Sequence, residues 1–196
     1  MAYVRGAAAH WVLGALIGAG ALALAGSGHA AVAVLGGGAA QACSDAAFKG
    51  KPDWRAEETC TDAIDNEAMS AKDQAGTYVN RGVLRLRAGA YAKAASDFDS
   101  AEKIAPSMGE VHVNRGVLLM AQERFSEAVV EINRGLELGV EEPAKAYYNR
   151  ALAYEGLNNA AAAYEDYRKA QALAPNWSAP TRMLARFQVR TREVGS

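Results

Sequence analysis

The pentapeptide YVNRG at residues 78–82 is repeated as HVNRG at residues 112–116 and as YYNRA at residues 147–151. Successive copies begin 34 and 35 residues apart. A regular spacing of about 20 to 50 residues is typical of proteins in which similar units of secondary structure stack on one another. Each unit buries its apolar face against its neighbours, so we expect a linear stack rather than one globular core.

The composition favours a helical protein and argues against a nucleic-acid partner. The chain has 196 residues, with alanine abundant and aromatic residues at only 8%. Alanine has the highest helix propensity and lets helices approach closely, so we predict an all-α fold. The formal net charge is -1, whereas a nucleic-acid-binding protein would carry a clustered basic surface.

The first 30 residues have the pattern of a secretory signal peptide. Arg5 is the only charged residue before an apolar run over residues 11–25, and small residues follow this run. We predict that residues 1–30 are removed by a cut after Ala30, with a cut after Ala25 as the second choice. Residues 31–36 would then be the N-terminal segment of a periplasmic protein. The alternative is an uncleaved leader that anchors the protein to the inner membrane, because the apolar stretch continues beyond residue 30.

Each of the three units has small, large and helix-ending residues in the same order along the sequence. This order resembles that of the tetratricopeptide repeat (TPR) family. The resemblance implies a solenoid of antiparallel helix hairpins, with units at residues 75–108, 109–143 and 144–177. The shared positions are Tyr78, Gly82, Ala94, Phe98, Ala101 and Pro106 in the first unit, Gly116, Ala128, Ile132 and Gly135 in the second, and Tyr147, Ala151, Ala163, Tyr167, Ala170 and Pro175 in the third.

A degenerate unit at residues 37–74 comes first if the same alignment is extended backwards. Ala56 and Ala63 then take the small positions, and Cys60 takes the large one. The alignment also places Cys43 on the first helix, on the side that faces the second. Two cysteines on facing helices of an exported chain are predicted to form a disulfide. The alternative is a redox or metal-binding pair, although the sequence has no C-x-x-C motif.

Residues 178–196 are predicted to form a capping helix and tail, with the helix over residues 179–192. Pro180 suits the first turn of a helix. A polar cap protects the open end of a repeat stack from water. Basic residues that recur every four positions would form a stripe on this helix, and contact with an anionic partner is the alternative role of that stripe. The stripe consists of Arg182, Arg186 and Arg190.

The arginines of the repeated pentapeptide occupy a position where the family usually has an apolar residue. Each unit also carries a carboxylate on its second helix, one residue before the large position. An arginine can hold a carboxylate through two hydrogen bonds, so we predict partly buried ion pairs that fix the helix register. Ligand binding by the arginines is the alternative. The predicted pairs are Arg81 with Asp97, Arg115 with Glu131, and Arg150 with Asp166.

The asparagines of the same pentapeptide, Asn80, Asn114 and Asn149, are the predicted binding residues. The family resemblance implies that they line a concave groove and resemble the asparagine ladder with which some members hold an extended peptide. A primary amide can donate to and accept from one peptide unit. The predicted lining is apolar, which favours an extended or helical apolar ligand over an acidic tail. The lining residues are Val83, Val117, Met120, Tyr148 and Leu152, with few charges beyond Arg87, Glu110, Lys145 and Glu155.

The groove could instead be filled by the protein itself. The segment from Ala31 to Ala42 and the C-terminal helix are the two candidates for such internal filling. Occupation by either would leave no room for a partner, so external and internal occupants are competing hypotheses.

No residue is assigned to catalysis, to a metal or to a cofactor. His112 stands in the position of Tyr78 and Tyr147, which favours an aromatic core role over a catalytic one. We therefore predict a non-catalytic adaptor that binds a protein or peptide of the cell envelope, with membrane contact only if the leader is uncleaved. The alternative is a structural or self-associating envelope subunit that docks through its convex face or its basic capping helix. Self-association would produce a homo-oligomer. An enzyme is the third hypothesis.

Overall fold

The computed structural model describes residues 3–6, 28–34, 38–49 and 54–190. The apolar run of the predicted leader and the alternative cut after Ala25 lie outside these residues. Among the helices described, none is long and apolar enough to cross a membrane.

The described part of the chain contains nine helices that pack as successive hairpins, which confirms the predicted all-α solenoid. The elements are β1 (Tyr3–Gly6), α1 (Gly38–Lys49), α2 (Trp54–Asn66), α3 (Ala71–Arg87), α4 (Tyr91–Ile104), α5 (Gly109–Ala121), α6 (Phe125–Leu138), α7 (Pro143–Gly156), α8 (Ala160–Leu173), α9 (Ser178–Leu184) and β2 (Phe187–Arg190). Helix α1 pairs with α2, α3 with α4, α5 with α6, and α7 with α8, while α9 packs on α8. The two short strands pair antiparallel at one end.

The small and large positions meet where the two helices of a unit cross. A Cβ atom added at Gly82 would lie 2.5 Å from Phe98 Cε1, and one added at Gly116 would lie 2.5 Å from Ile132 Cγ1. The missing side chain therefore leaves room for the large residue of the second helix, as the sequence spacing predicts. Phe98 and Ile132 are both fully buried, so each hairpin has a close-packed centre.

Helix α3 begins earlier than the predicted unit boundary at residue 75. Its first residue is Ala71, so the four residues assigned to the preceding unit form its first turn. Ser70 caps this helix, because its hydroxyl oxygen accepts a hydrogen bond from the Asp73 N–H at 3.1 Å. A serine followed three residues later by an acid is a helix-start pattern that was present in the sequence.

The predicted capping helix over residues 179–192 is wrong beyond Leu184. Helix α9 has 7 residues, and residues 187–190 form β2, which pairs with β1 so that Phe187 is opposite Gly6 and Arg190 is opposite Tyr3. The sequence FQVR alternates apolar and polar residues, which favours a strand over a helix. Arg182, Arg186 and Arg190 therefore do not form a stripe on one helix.

Candidate functional site

Residues 28–34, called the groove segment below, lie against α3, α5 and α7 and contact all three predicted asparagines. Each asparagine binds one residue of the segment through both atoms of its amide: Oδ1 accepts from the backbone N–H, and Nδ2 donates to the backbone C=O. The N–H to Oδ1 and Nδ2 to O distances are 3.1 and 2.9 Å for Gly28 with Asn149, 3.3 and 2.9 Å for Ala30 with Asn114, and 2.8 and 2.8 Å for Val32 with Asn80.

The groove segment runs in the direction opposite to the order of the repeats. Its first residue, Gly28, binds the asparagine of α7, and Val32 binds that of α3. Two residues of the segment therefore correspond to one repeat, and a period of two is that of extended backbone. One hydrogen bond of 3.1 Å from the Ala31 N–H to the His29 carbonyl marks a local bend.

Side chains at alternate positions of the groove segment enter three successive apolar clusters. Ala30 belongs to a cluster with Val113, Ile132 and Ala146. Val32 belongs to the large cluster around α3, α4 and α5. Val34 packs with Ala40 and Ala63 of the first hairpin. Of the residues between these positions, His29 and Ala31 are also buried, whereas Ala33 is exposed. The segment therefore forms part of the core of each hairpin junction.

Two glycines set the space available in the groove. A Cβ atom at Gly28 would lie 3.1 Å from Lys145 Cγ and 3.2 Å from Trp177 Cη2. A Cβ atom at Gly76 of α3 would lie 2.9 Å from Val32 Cγ1 and 3.2 Å from Val34 Cγ2. Gly76 and Trp177 were not predicted as site residues, because nothing in the repeat alignment shows which residue of the ligand faces them.

The predicted apolar lining residues lie inside the stack beneath the groove segment. Val83, Val117 and Met120 are buried in the cluster that contains Val32. Tyr148 is buried between the rings of Tyr167 and Trp177, with centroid distances of 5.4 and 4.8 Å, and burial raises the pKa of its hydroxyl. Leu152 is half-buried and packs against two clusters.

The end of the groove near Gly28 is more basic than the sequence predicts. A cavity of about 280 Å³ there is lined by Arg87, Lys145 and Arg182, together with aromatic rings. These cations have partners within the protein. Lys145 pairs with Glu142 at 2.5 Å, Arg87 donates to the Ala47 carbonyl at 2.6 Å, and Arg182 donates to the Ser178 hydroxyl at 2.6 Å.

Of the two competing hypotheses for the groove, internal filling is the arrangement found in the structure. The occupant is the groove segment, of which residues 31–34 belong to the predicted mature N-terminus and residues 28–30 to the predicted leader. The C-terminal helix is not involved in the asparagine contacts described above.

The two outer ion pairs of the predicted arginine ladder are confirmed. Arg81 Nη2 lies 2.8 Å from Asp97 Oδ1. Arg150 donates to both oxygens of Asp166, at 2.6 and 2.8 Å. Both carboxylates are almost completely buried. These pairs tie the first helix of a unit to its second helix.

The predicted middle pair, Arg115 with Glu131, is also present, but Arg115 makes shorter contacts with two other carboxylates. Arg115 donates to Asp99 at 2.9 Å and to Glu102 at 2.8 Å, and it lies 3.7 Å from Glu131. Glu131 also contacts Nδ1 of the buried His112 at 2.8 Å. His112 stands where the other units have a tyrosine, and its ring nitrogen contacts Glu131. Arg115 makes its hydrogen bonds to Asp99 and Glu102 of the preceding unit instead.

The charges around Arg115 shift its pKa and that of Glu102 in opposite directions. Burial lowers the pKa of Arg115, but hydrogen bonds and attraction to Glu102, Glu131 and Asp99 outweigh this effect and raise it. Burial raises the pKa of Glu102, but Arg115 outweighs this effect, and the net pKa is lowered. Both groups are therefore held in their charged forms.

Cys43 and Cys60 form the predicted pair in the first hairpin. Their sulfur atoms lie 2.07 Å apart, and both residues are fully buried. Among the residues described, no group of histidine, cysteine, aspartate and glutamate side chains could hold a metal ion.

The geometry of the hairpins agrees with the family comparison. Residues 144–176 match the model of the tetratricopeptide repeat family. This stretch is therefore a tetratricopeptide repeat, and the hairpins of the described residues have the fold of a tetratricopeptide solenoid. The matched residues cover α7, α8 and the turn that leads to α9. They include Asn149 and the Arg150–Asp166 pair, so the best-matched repeat also carries both parts of the repeated motif.

Known proteins resemble this chain over part of its length. The Hsp70-Hsp90 organizing protein of Triticum aestivum is 32% identical over 96 residues, which is 49% of this chain and only 16% of that protein. The first TPR of Spaghetti (RPAP3) bound to HSP90 peptide SRMEEVD has a TM-score of 0.53 and 23% identity, covering 58% of this chain and 90% of that chain. MamA 41-end from Desulfovibrio magneticus RS-1 has a TM-score of 0.53 and 21% identity, covering 76% and 82%. The two structural similarities show the fold alone.

Arg150→Ala is expected to lower the free energy of unfolding by about 2–3 kcal/mol, because it leaves the buried Asp166 carboxylate without its cation. Arg124→Ala is the control, since the Arg124–Glu127 pair is exposed and its loss should leave stability unchanged. Urea denaturation followed by circular dichroism measures both. Equal stability of the two variants would contradict a structural role for the ladder.

Proposed function

We propose that the concave surface of this protein binds an extended apolar segment of another protein and that the protein acts as a non-catalytic adaptor. The observation that carries this proposal is the set of three asparagines, each of which binds both the N–H and the C=O of one residue of an extended backbone. The groove segment occupies the place where the partner would bind.

The chemistry of the asparagines favours a peptide ligand. All three side chains are buried, and a buried polar group without a hydrogen-bond partner costs about 1–3 kcal/mol. A primary amide can pair with the backbone N–H and C=O of one residue, whatever the side chain of that residue. When the groove segment is absent, another extended backbone is therefore the natural replacement.

The relatives support peptide binding but suggest a different ligand class. The RPAP3 domain is bound to the acidic HSP90 peptide SRMEEVD. In this chain the cations at the end of the groove already have internal partners, and the clusters that receive the segment are apolar. These differences favour an apolar segment over an acidic tail.

Val32→Asp is expected to release the groove segment, because it places a charge in an apolar cluster where Val32 is 2% exposed. A fluorescent peptide of sequence GHAAVAV should then bind the variant at least about tenfold more tightly than the unmodified chain, in which the tethered segment competes at high local concentration. Fluorescence anisotropy measures this binding.

Ala33→Asp is the matched control, since Ala33 is exposed in the same segment and the change should leave the groove filled. Adding Asn114→Ala to the Val32→Asp chain should remove peptide binding. Circular dichroism checks that each variant is folded. Failure of the folded Val32→Asp chain to bind, or equal binding after Asn114→Ala, would contradict the proposed function.

We further propose that the protein is exported to the periplasm, and two features support this. The N-terminal sequence has the order of a signal peptide, and the cysteines of the first hairpin are paired. The predicted cut after Ala30 falls between two buried residues, Ala30 and Ala31, so it has to precede docking of the segment. A cut chain would keep the Val32–Asn80 contact and leave Asn114 and Asn149 free for a partner.

N-terminal sequencing of the protein recovered from the periplasm tests the location. The expected first residue is Ala31, and thiol titration in denaturant should find no free cysteine. A start at Met1 in the membrane fraction would favour the anchored alternative, and two free thiols would contradict the disulfide.

A further inference from the structure

We propose that the groove recognises a specific sequence pattern: a glycine, then a small residue two positions later, then β-branched residues at the next two alternate positions. The segment is bound with its N-terminal end at α7 and its C-terminal end at α3. This inference rests on the proposed function and specifies its ligand class. The groove segment is a tethered example of the pattern, at Gly28, Ala30, Val32 and Val34.

The direction and register follow from the asparagine contacts. Each asparagine binds both the N–H and the C=O of one residue, and the bound residues are two apart. A segment in the opposite direction would present its side chains to the clusters in the reverse order. The small residue would then face the large cluster, and the β-branched residues would face Trp177 and the cluster of Val113, Ile132 and Ala146.

The preference for glycine comes from the α7 end of the groove. A Cβ atom at position 28 would lie 3.1 Å from Lys145 Cγ and 3.2 Å from Trp177 Cη2. The lysine stem can move aside, but the indole of Trp177 packs on the buried Tyr148 ring at 4.8 Å. Trp177 is therefore the residue that limits this position.

The small residue in the middle of the pattern packs in the cluster formed by α5, α6 and α7. Ala30 is 3% exposed and packs with Val113, Ile132 and Ala146. The rest of this cluster is occupied by the helices themselves, so a larger side chain would have to displace core residues.

The β-branched positions depend on Gly76. The Val32 and Val34 side chains pass over this residue, and a Cβ atom there would lie 2.9 Å from Val32 Cγ1. That separation is well inside ordinary van der Waals contact. Gly76 therefore acts as the specificity residue that admits two branched side chains beside α3. Position 33, in contrast, faces solvent and should accept any side chain.

Changing the size of the side chains in the peptide and of the residue that they contact in the groove tests the pattern. The full chain carrying Val32→Asp is the receptor, and the probes are GHAAVAV and GHAAAAA, in which both valines are alanine. The first peptide should bind more tightly to this receptor. Adding Gly76→Ala should reverse the order, because the new methyl group takes the space of the valine side chains, and the affinity for GHAAVAV should fall at least about tenfold.

A second exchange keeps the test independent of how Gly76→Ala folds. The peptide AHAAVAV should bind poorly to the Val32→Asp chain, and Trp177→Ala should improve its binding relative to GHAAVAV. The peptide GHAAVEV, altered only at the exposed position, should bind as well as GHAAVAV. The reversed peptide VAVAAHG should not bind.

The outcomes separate this inference from the proposed function. Binding of every peptide with equal affinity, or loss of both valine and alanine peptides to the same extent in Gly76→Ala, would overturn the sequence pattern while leaving peptide binding intact. Absence of binding by any peptide to the folded Val32→Asp chain would overturn the proposed function itself.

Discussion

The structure depends on a simple constraint, which is that a buried amide needs a hydrogen-bonding partner. Asn80, Asn114 and Asn149 are buried on successive repeats, and each has a donor and an acceptor to satisfy. An extended backbone satisfies all three at once, with two of its residues for every repeat. The groove is therefore stabilised when it holds a chain, whether that chain is the protein's own segment or a partner's.

Two kinds of contact within the repeats position these three amides along the groove: close helix crossings and ion pairs. The Gly82–Phe98 and Gly116–Ile132 contacts bring paired helices together at short distance. The ion pairs of Arg81 and Arg150 then connect the two helices of a unit. Asparagine and arginine are adjacent in the sequence but serve different roles, because neighbouring residues on a helix point in different directions.

The repeat period and the small and large positions were enough to predict the fold, because close helix packing restricts which residues those positions can hold. The asparagines could also be singled out as residues that face the groove, where they contact the groove segment. Their occupant could not, since the GHAAVAV sequence fits the end of a signal peptide as well as a groove ligand. The contacts of Arg115 with Asp99 and Glu102 escaped prediction because they depend on the ring nitrogen of His112, which contacts Glu131. Strand β2 was missed because its four residues continue an arginine spacing that is typical of a helix.

Amide hydrogen exchange of the groove segment in the full chain, measured by NMR, tests the central claim most directly. The N–H groups of Gly28, Ala30 and Val32 donate to the three asparagines, so their exchange should be slow. In Asn114→Ala the protection of Ala30 should fall more than that of Val32. Exchange at all three positions as fast as in a free GHAAVAV peptide would contradict the account, because it would show that the asparagines do not hold this segment.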